Sequence, residues 1–468
     1  MCEGIAAELD GIHLGDKRLN RRSKQVLEAL AANPEASINA ACEGWADTLA
    51  AYRFFDNPVV APEKILQPHS KATVRRMRQQ PVALMIQDTT ELDFTRHPPH
   101  DAQCLNTSSR FGLYDHTHLA ATPDGLCLGV VDQEQFARTP ESLGKTAERE
   151  ALPIDEKESL RWLTGYRLAC EIAVKCPETQ IISVADREAD IYDIFFECQQ
   201  QALPRADFVI RVQANRCLME RDLEAGGQVY RKIRDEVQAA PLLGTRVIEL
   251  SETPKRAARQ ATLEIRAVTV QIKPPTGRPH MPPATLQLVF AQEVGGPGDG
   301  TDVSWLLLTS LPITTFEEVL QVLDYYVARW IVEVYFRILK TGCRVEEIQL
   351  ETVARLQNCL AFYKIIAARV LYLTYLNRTA PQLPCTAVFA DSEWKSVWRV
   401  VKQKPLPEQP PTLGEFMKVL TQLGGYNNRA TEAPPGPQTI WVGIRRMLDF
   451  ARAWLAFGPE RDPSLVYK

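Results

Sequence analysis

Residues 326–340 read YVARWIVEVYFRILK. At about 100° per residue, Tyr326, Arg329, Glu333 and Lys340 fall on one helical face, with Arg337 beside them. The stripe carries a phenol, a carboxylate and three cations, and apolar Ile331, Val332 and Ile338 keep it narrow. Surface i,i+4 ion pairs give a similar pattern. The chemical alternative is more specific: a carboxylate among cations can hold a divalent metal while the cations hold phosphates. Metal-assisted phosphoryl transfer uses two or three carboxylates to fix two divalent ions about 3.5–4 Å apart. Two aspartates fit such a set. Asp88 closes the apolar run ALMIQD and Asp186 closes IISVAD, each at the C-terminal edge of a predicted buried strand. Either alone is compatible with an ordinary strand-end or capping aspartate. With Glu333 they form an acidic set that one sheet can gather.

The elements that must position these residues follow from apolar periodicity. Residues 1–80 read as a small helical domain, with Val26, Leu27 and Leu30 at helical spacing and breaks at Asn33-Pro34 and Asn57-Pro58. From residue 81 the runs PVALMIQDTT, HTHLAATPDG and LCLGVVDQEQF predict three strands. A long amphipathic segment from about Asp155 to Lys175, a strand at 180–185, a helix in DREADIYDIFFEC and a strand at 208–213 complete a β-β-β-α-β-α-β order. That order is α/β, a mixed sheet covered by helices. Residues 214–304 predict a mostly β insertion, basic over 201–280, with strands at 245–250, 262–272 and 285–292. Thr315-x-x-Glu318 predicts a capped helix running to Lys340. A second long helix is predicted over 350–376, and after Pro-rich breaks a last amphipathic helix over 439–457. The expected domains are 1–80, 81–375 with the insertion 214–304, and 376–468.

The chain has 468 residues, 24% charged and 45% hydrophobic, the balance of a globular protein of about two to four domains. Disorder, collagen and a small disulfide scaffold are excluded. The eleven cysteines include no C-x-x-C and read as reduced thiols. The start MCEGIAAELDG resembles no signal peptide, and no run of 18 apolar residues occurs. A soluble, unexported, cytoplasmic protein without a membrane partner is expected. The net charge of -4 argues at first against nucleic acid, yet 21 acidic and 10 basic residues fall within 81–200, leaving 44 basic and 37 acidic elsewhere. Lys17, Arg18, Arg21, Arg22 and Lys24 cluster, as do Lys71, Arg75, Arg76 and Arg78. Patches, not the total, therefore set the partner.

QDTTELDF at 87–94, ADREADIYDIF at 185–195 and the Tyr326/Arg329/Glu333/Lys340 spacing resemble the three signatures of bacterial DDE transposases of the insertion-sequence-four type. The pattern is similar to the transposon-five transposase of that group. LGDKRLNRR, AAYRFFDNP, WLLLTS and LGGY followed by IWVGIRRMLDF extend the resemblance, in order, over most of the chain. It implies a ribonuclease-H-like core in which Asp88, Asp186 and Glu333 are the catalytic, metal-binding residues for two Mg2+ or Mn2+ ions per site. It also implies that Tyr326, Arg329 and Lys340 contact phosphates of the transposon end, that Arg211 is a DNA-contacting arginine, and that Arg22 and Arg53 contact the terminal inverted repeat. Trp305 matches a tryptophan that stacks on a flipped base, and such stacking is worth about 1–3 kcal/mol.

The activity so implied is cut-and-paste transposition by a homodimer pairing two ends of double-stranded DNA and joining them to target DNA, in the bacterial nucleoid. Hydrolysis frees a 3′-OH, which forms a hairpin on the opposite strand; the hairpin is reopened and the end is joined. Alternatives are a catalytically silent DNA-binding transposition inhibitor, or a metal nuclease of the same fold without strand transfer. His116-Thr-His118 and His97-Pro-Pro-His100 lack partner ligands at motif spacing and do not favour zinc. No G-x-x-x-x-G-K-[ST] is present to indicate P-loop chemistry.

Overall fold

A computed structural model describes residues 4–42, 44–144, 154–200, 204–224, 227–250, 252, 256–278, 280–429 and 435–459. The chain is α/β, with a mixed sheet of eleven strands among the described residues and flanking helices. It divides into two compact units. One comprises Met1–Arg76, Thr89–Lys145 and Ile331–Lys468, and the other Met77–Asp88 and Thr146–Trp330.

The second unit holds the parallel strands. Strand β1 (Val82–Asp93) starts in it, and β4 (Gln180–Ala185) and β5 (Asp207–Arg211) follow in parallel register, Gln87 opposite Ala185 and Ala185 opposite Ile210. Ala83 to Ile86, Ile181, Ile182, Val184 and Phe208 to Ile210 are buried, which explains why these strands read as continuous apolar runs, not alternating ones. The helices Leu160–Lys175 and Tyr192–Gln200 pack on them. Phe195 stacks on Phe208 at 5.5 Å between centroids, and the Tyr166 hydroxyl donates to the Ala206 carbonyl at 3.0 Å.

The predicted insertion extends this same sheet. Strand β11 (Ser304–Thr309) pairs antiparallel with β5, β10 (Ala284–Val294) with β11, and β9 (Arg259–Ile272) with β10. Strands β8 (Gly244–Leu250) and β6 (Cys217–Glu224) both pair with β9, and β7 (Gly227–Lys232) pairs with β6. The β6–β7 hairpin and the helix Ile233–Ala239 were not expected from the sequence, because charged residues interrupt both.

In the first unit, β2 (Gly112–Ala121) pairs antiparallel with β3 (Cys127–Phe136). The helices Lys17–Ala32, Ile38–Ala41, Trp45–Phe55 and Pro62–Met77 form the N-terminal segment. Glu8 anchors it. Burial pushes the Glu8 carboxyl up, but hydrogen bonds and charge from His69 (2.6 Å) and Arg76 (2.9 Å) prevail and hold it well below the usual carboxylate range. The helix Val353–Thr379 is long and apolar enough to cross a membrane by length and composition, but 83% of its apolar window is buried inside the protein. It is a core helix: Phe362 meets Phe54 and Phe55 edge-on, and Asn358 donates to the Phe55 carbonyl.

Lys364, on that helix, is fully buried and paired with Asp115 of β2 and Gln133 of β3. Burial lowers its pKa, and the Asp115 charge offsets part of that shift. The tail holds more helix than the sequence suggested. Asp391–Lys402 and Leu413–Leu423 precede Pro437–Phe457 and enclose Trp394, Val397, Phe416, Met417, Leu420, Ile440 and Met447. A Cβ on Gly443 would stand 2.5 Å from the Leu420 carbonyl oxygen, so two of these helices meet at a glycine. No disulfide joins cysteines among the described residues.

Candidate active site

The parallel pairings of three neighbouring strands end in rank, and β1 itself continues to Asp93. The pairs Gln87–Ala185 and Ala185–Ile210 are the last before the edge, so the next residue on each strand, Asp88, Asp186 and Arg211, lies side by side. The carboxyl edge of parallel strands is where open α/β sheets place ligands. Beneath the edge, Gln87 donates to the Ser183 hydroxyl at 2.8 Å and locks β1 to β4. The turn after Asp186 is pinned by buried Asp190, which accepts from the backbone amides of Gln213 (2.8 Å) and Ala214 (2.9 Å) and pairs with Arg216 at 2.7 Å. The sequence reading missed this latch, although Asp190 lies inside the ADREAD motif.

The capped helix arrives at the same edge. Thr315 and Glu318 form the expected capping box, and the helix runs Phe316–Ala328. Tyr326, in its last turn, places its hydroxyl 3.4 Å from Asp186 Oδ1. Arg329 caps the helix and donates from Nη1 to Asp88 Oδ2 at 2.8 Å. Arg211 Nη1 stands 4.0 Å from Asp186 Oδ1 and donates from Nη2 to the Ser304 carbonyl at 3.3 Å. Trp305, half-buried at the start of β11, packs edge-on to Tyr326 at 5.9 Å, and the Arg329 guanidinium lies 5.8 Å from the Tyr326 ring centre. Burial, then the Asp186 charge, pushes the Tyr326 phenol up, with Arg211 and Arg329 acting against the rise. The phenol therefore stays a neutral donor at physiological pH.

The helix does not run unbroken to Lys340. Arg329 and Trp330 form a turn, Trp330 is 57% exposed, a second helix covers Ile331–Arg337, and a π turn covers Ile338–Gly342. The hydrogen bonds explain the break: the amides of Arg329 and Trp330 bond three residues back, to Tyr326 and Val327, a tighter turn than the α-helix. A single helical wheel therefore fails as the description of 326–340. Six of the expected residues (Asp88, Asp186, Arg211, Trp305, Tyr326 and Arg329) share one unit and one sheet edge. Glu333, Lys340, Arg22 and Arg53 belong to the other unit. There, Glu333 is half-buried in the Ile331–Arg337 helix, Lys340 Nζ lies 3.9 Å from Glu346, Arg22 pairs with Asp47 at 2.9 Å, and Arg53 is exposed.

Two carboxylates at the strand edge suit Mg2+ or Mn2+, which bind through one or two carboxylates and otherwise keep water. Among the described residues no group of three or more His, Cys, Asp or Glu stands ready to hold a metal. His116 and His118 are no exception. They are buried and edge-on at 4.9 Å, and burial, then the Lys364 charge, holds His118 down to about 4.

Comparison with known families bears on both ends of the chain. Residues 1–60 match a family described as transposase DNA-binding, and residues 365–455 match the transposase Tn5 dimerisation domain. These two matches support a Tn5-like transposase family for the chain. The first match contains Arg22 and Arg53, and the second contains the three C-terminal helices packed around Trp394 and Phe416. The aspartates and the strand edge lie between the two matches. DNA and a second copy of the chain are the partners these two domains support.

Proposed function

We propose that this Tn5-like transposase is a DDE enzyme that cuts DNA at terminal inverted repeats and joins the freed ends to target DNA. The observation that carries the proposal is the rank of Asp88, Asp186 and Arg211 at one strand edge, with Tyr326 and Arg329 bonded to the two aspartates. Carboxylates and phosphate-gripping cations at one edge are what a phosphodiester site needs. Asp88 and Asp186, with Glu333 as the third member, would hold Mg2+ or Mn2+, which supplies Lewis-acid assistance to in-line attack on phosphorus.

The chain's own residues do the rest. Arg329 and Arg211 grip phosphate oxygens, which an arginine fork can do with two parallel hydrogen bonds. The neutral Tyr326 hydroxyl donates to a phosphate oxygen, and Lys340 adds charge. Trp305 offers its indole face to a base turned out of the duplex, which the sharply bent strand of a hairpin requires. Residues 1–60, through Arg22 and Arg53, bind the transposon end, and the C-terminal helices pair two protomers so that two ends react together. Hydrolysis, hairpin closure, reopening and strand transfer are all in-line displacements at phosphorus, so one site serves all four. The enzyme would act in the cytoplasm, on the bacterial nucleoid.

One incubation tests the reading: protein, labelled DNA end, target plasmid and Mg2+. Joined product is expected. Cut product alone would make the protein a nuclease, and no product would make it a silent DNA-binding inhibitor.

A further inference from the structure

The residues proposed to grip phosphate are, in the protein alone, already bonded to the residues proposed to hold metal. Arg329 Nη1 donates to Asp88 Oδ2 at 2.8 Å, Tyr326 reaches Asp186 at 3.4 Å, and Arg211 stands 4.0 Å from the same carboxylate. Arg329 is largely buried, whereas Asp88 keeps about a fifth of its side-chain surface open. A divalent ion approaching Asp88 therefore meets a carboxylate whose charge is already compensated, and a guanidinium whose charge repels it.

We infer that Arg329 is the exchangeable counter-ion of Asp88: it neutralises the aspartate in the free protein and moves to a DNA phosphate when an end is bound, so that metal and DNA enter the site together. This deepens the proposed function and rests on Asp88 being a metal ligand. The exchange is balanced in charge. The guanidinium leaves one anionic oxygen acceptor for another that it fits equally well, and the freed carboxylate takes a hard cation that prefers oxygen. Tyr326 and Arg211 stand to Asp186 in the same relation, through weaker contacts. A site arranged in this way withholds its metal until substrate is present, which keeps a nuclease from cutting indiscriminately. Linkage makes the effect reciprocal: if DNA raises metal affinity by some factor, metal raises DNA affinity by that same factor.

The test uses the full chain and Mn2+, whose binding is followed by loss of the free-ion paramagnetic resonance signal. Without DNA, Arg329→Gln should bind Mn2+ about tenfold more tightly than the native protein, within the usual range of coupling between sites. Arg329→Lys, which keeps the charge but loses the fork, should fall between them. A pre-cut duplex from the DNA flanking the gene should tighten Mn2+ binding by the native protein and have little effect on Arg329→Gln. Equal Mn2+ affinity in all three proteins, or native affinity unaltered by a duplex that binds, overturns the inference. Asp88→Asn separates the two ideas: Mn2+ affinity unchanged by that substitution removes Asp88 as a ligand, whereas lost affinity with no effect at Arg329 removes only the exchange. Should Arg329→Gln fail to fold, shown by a lost thermal transition, the native protein with and without duplex still decides the matter.

Discussion

Two ion pairs of this protein invite comparison. Arg329–Asp88 stands at a strand edge with part of its carboxylate open to solvent, whereas Lys364–Asp115 lies at zero exposure between a core helix and two strands. Both join residues more than two hundred positions apart. Their surroundings give them different work. A pair at an edge can trade one partner for an incoming ligand, because water and ligand reach it. A sealed pair can only be broken, and breaking it leaves a bare charge in a medium of low dielectric constant. Under the proposed function the edge pair serves the site, and the sealed pair serves the persistence of the fold.

The largest effects should fall on cleavage at the edge. Asp88→Ala, Asp186→Ala and Glu333→Ala should each reduce cleavage of a labelled end below detection while end binding in a gel shift persists, and cleavage retained by any of them would remove that residue from the catalytic set. In the interior, Lys364→Met should leave cleavage chemistry untouched in folded molecules but cost about 3–5 kcal/mol in urea unfolding, because Asp115 loses its partner. Lys364→Met combined with Asp115→Leu should recover much of that loss. A native-like midpoint for Lys364→Met alone would break the contrast between the two pairs.

A pH titration sharpens the same contrast. His118 is held down to about 4 by burial and by Lys364, against about 6.5 in an unfolded chain. Its folded pKa is depressed, so the unfolded chain binds the proton first. The stability linked to His118 is then complete above about pH 6.5 and is lost as pH falls toward 4, a change on the order of 3 kcal/mol. Urea midpoints measured across that window should fall for the native protein and fall less for His118→Phe. Glu8 contributes in a lower window: below about pH 4.5 the unfolded chain's carboxyl takes up a proton while the folded one, held down by its partners, does not, so this stability is lost as pH falls.

Trp305→Ala should leave first-strand nicking intact and lower hairpin yield, with a stacking loss of about 1–3 kcal/mol. Normal hairpin yield would end its role as a platform. The smallest effect is expected at Arg22, a half-buried cation whose pair with Asp47 at the surface is worth about 0–1 kcal/mol to stability. Arg22→Ala should barely move the unfolding midpoint, yet weaken end binding and reduce its salt slope by about one unit.

What the sequence disclosed and what it withheld divide along similar physical lines. ALMI, IISV and FVI announced buried strands because both faces of each are covered, but not their parallel pairing, and Asp88 and Asp186 stood out because they end apolar runs. Thr315 and Glu318 announced a helix start because a capping box is local. The turn at Arg329–Trp330 stayed hidden, since no Gly or Pro marks it and the break lies in hydrogen bonds that shorten from four residues to three. Nothing local to the sequence marks Lys364 as a buried, paired cation, because its partner Asp115 lies 249 positions away. The helices at 391–402 and 413–423 were obscured by prolines around them, although Thr412 and Glu415 form a capping box that was there to be read. The set of three carboxylates was legible as residue types. The pairing of Asp88 with Arg329 was not, since strand and helix meet only after folding.

The rank of Asp88, Asp186 and Arg211 has a consequence for sequence variation. Each side chain sits one step beyond the last parallel pair of its strand, and successive side chains on a strand alternate faces. Loss of a single residue within 180–185 would turn Asp186 to the opposite side of the sheet, an error that no substitution at 186 could repair. Changes of identity among Ala83–Ile86 or Ile181–Val184 that keep apolar volume should be tolerated far better. For this edge, strand length is the inherited quantity under the tightest constraint, and insertions or deletions should be confined to the turns outside it.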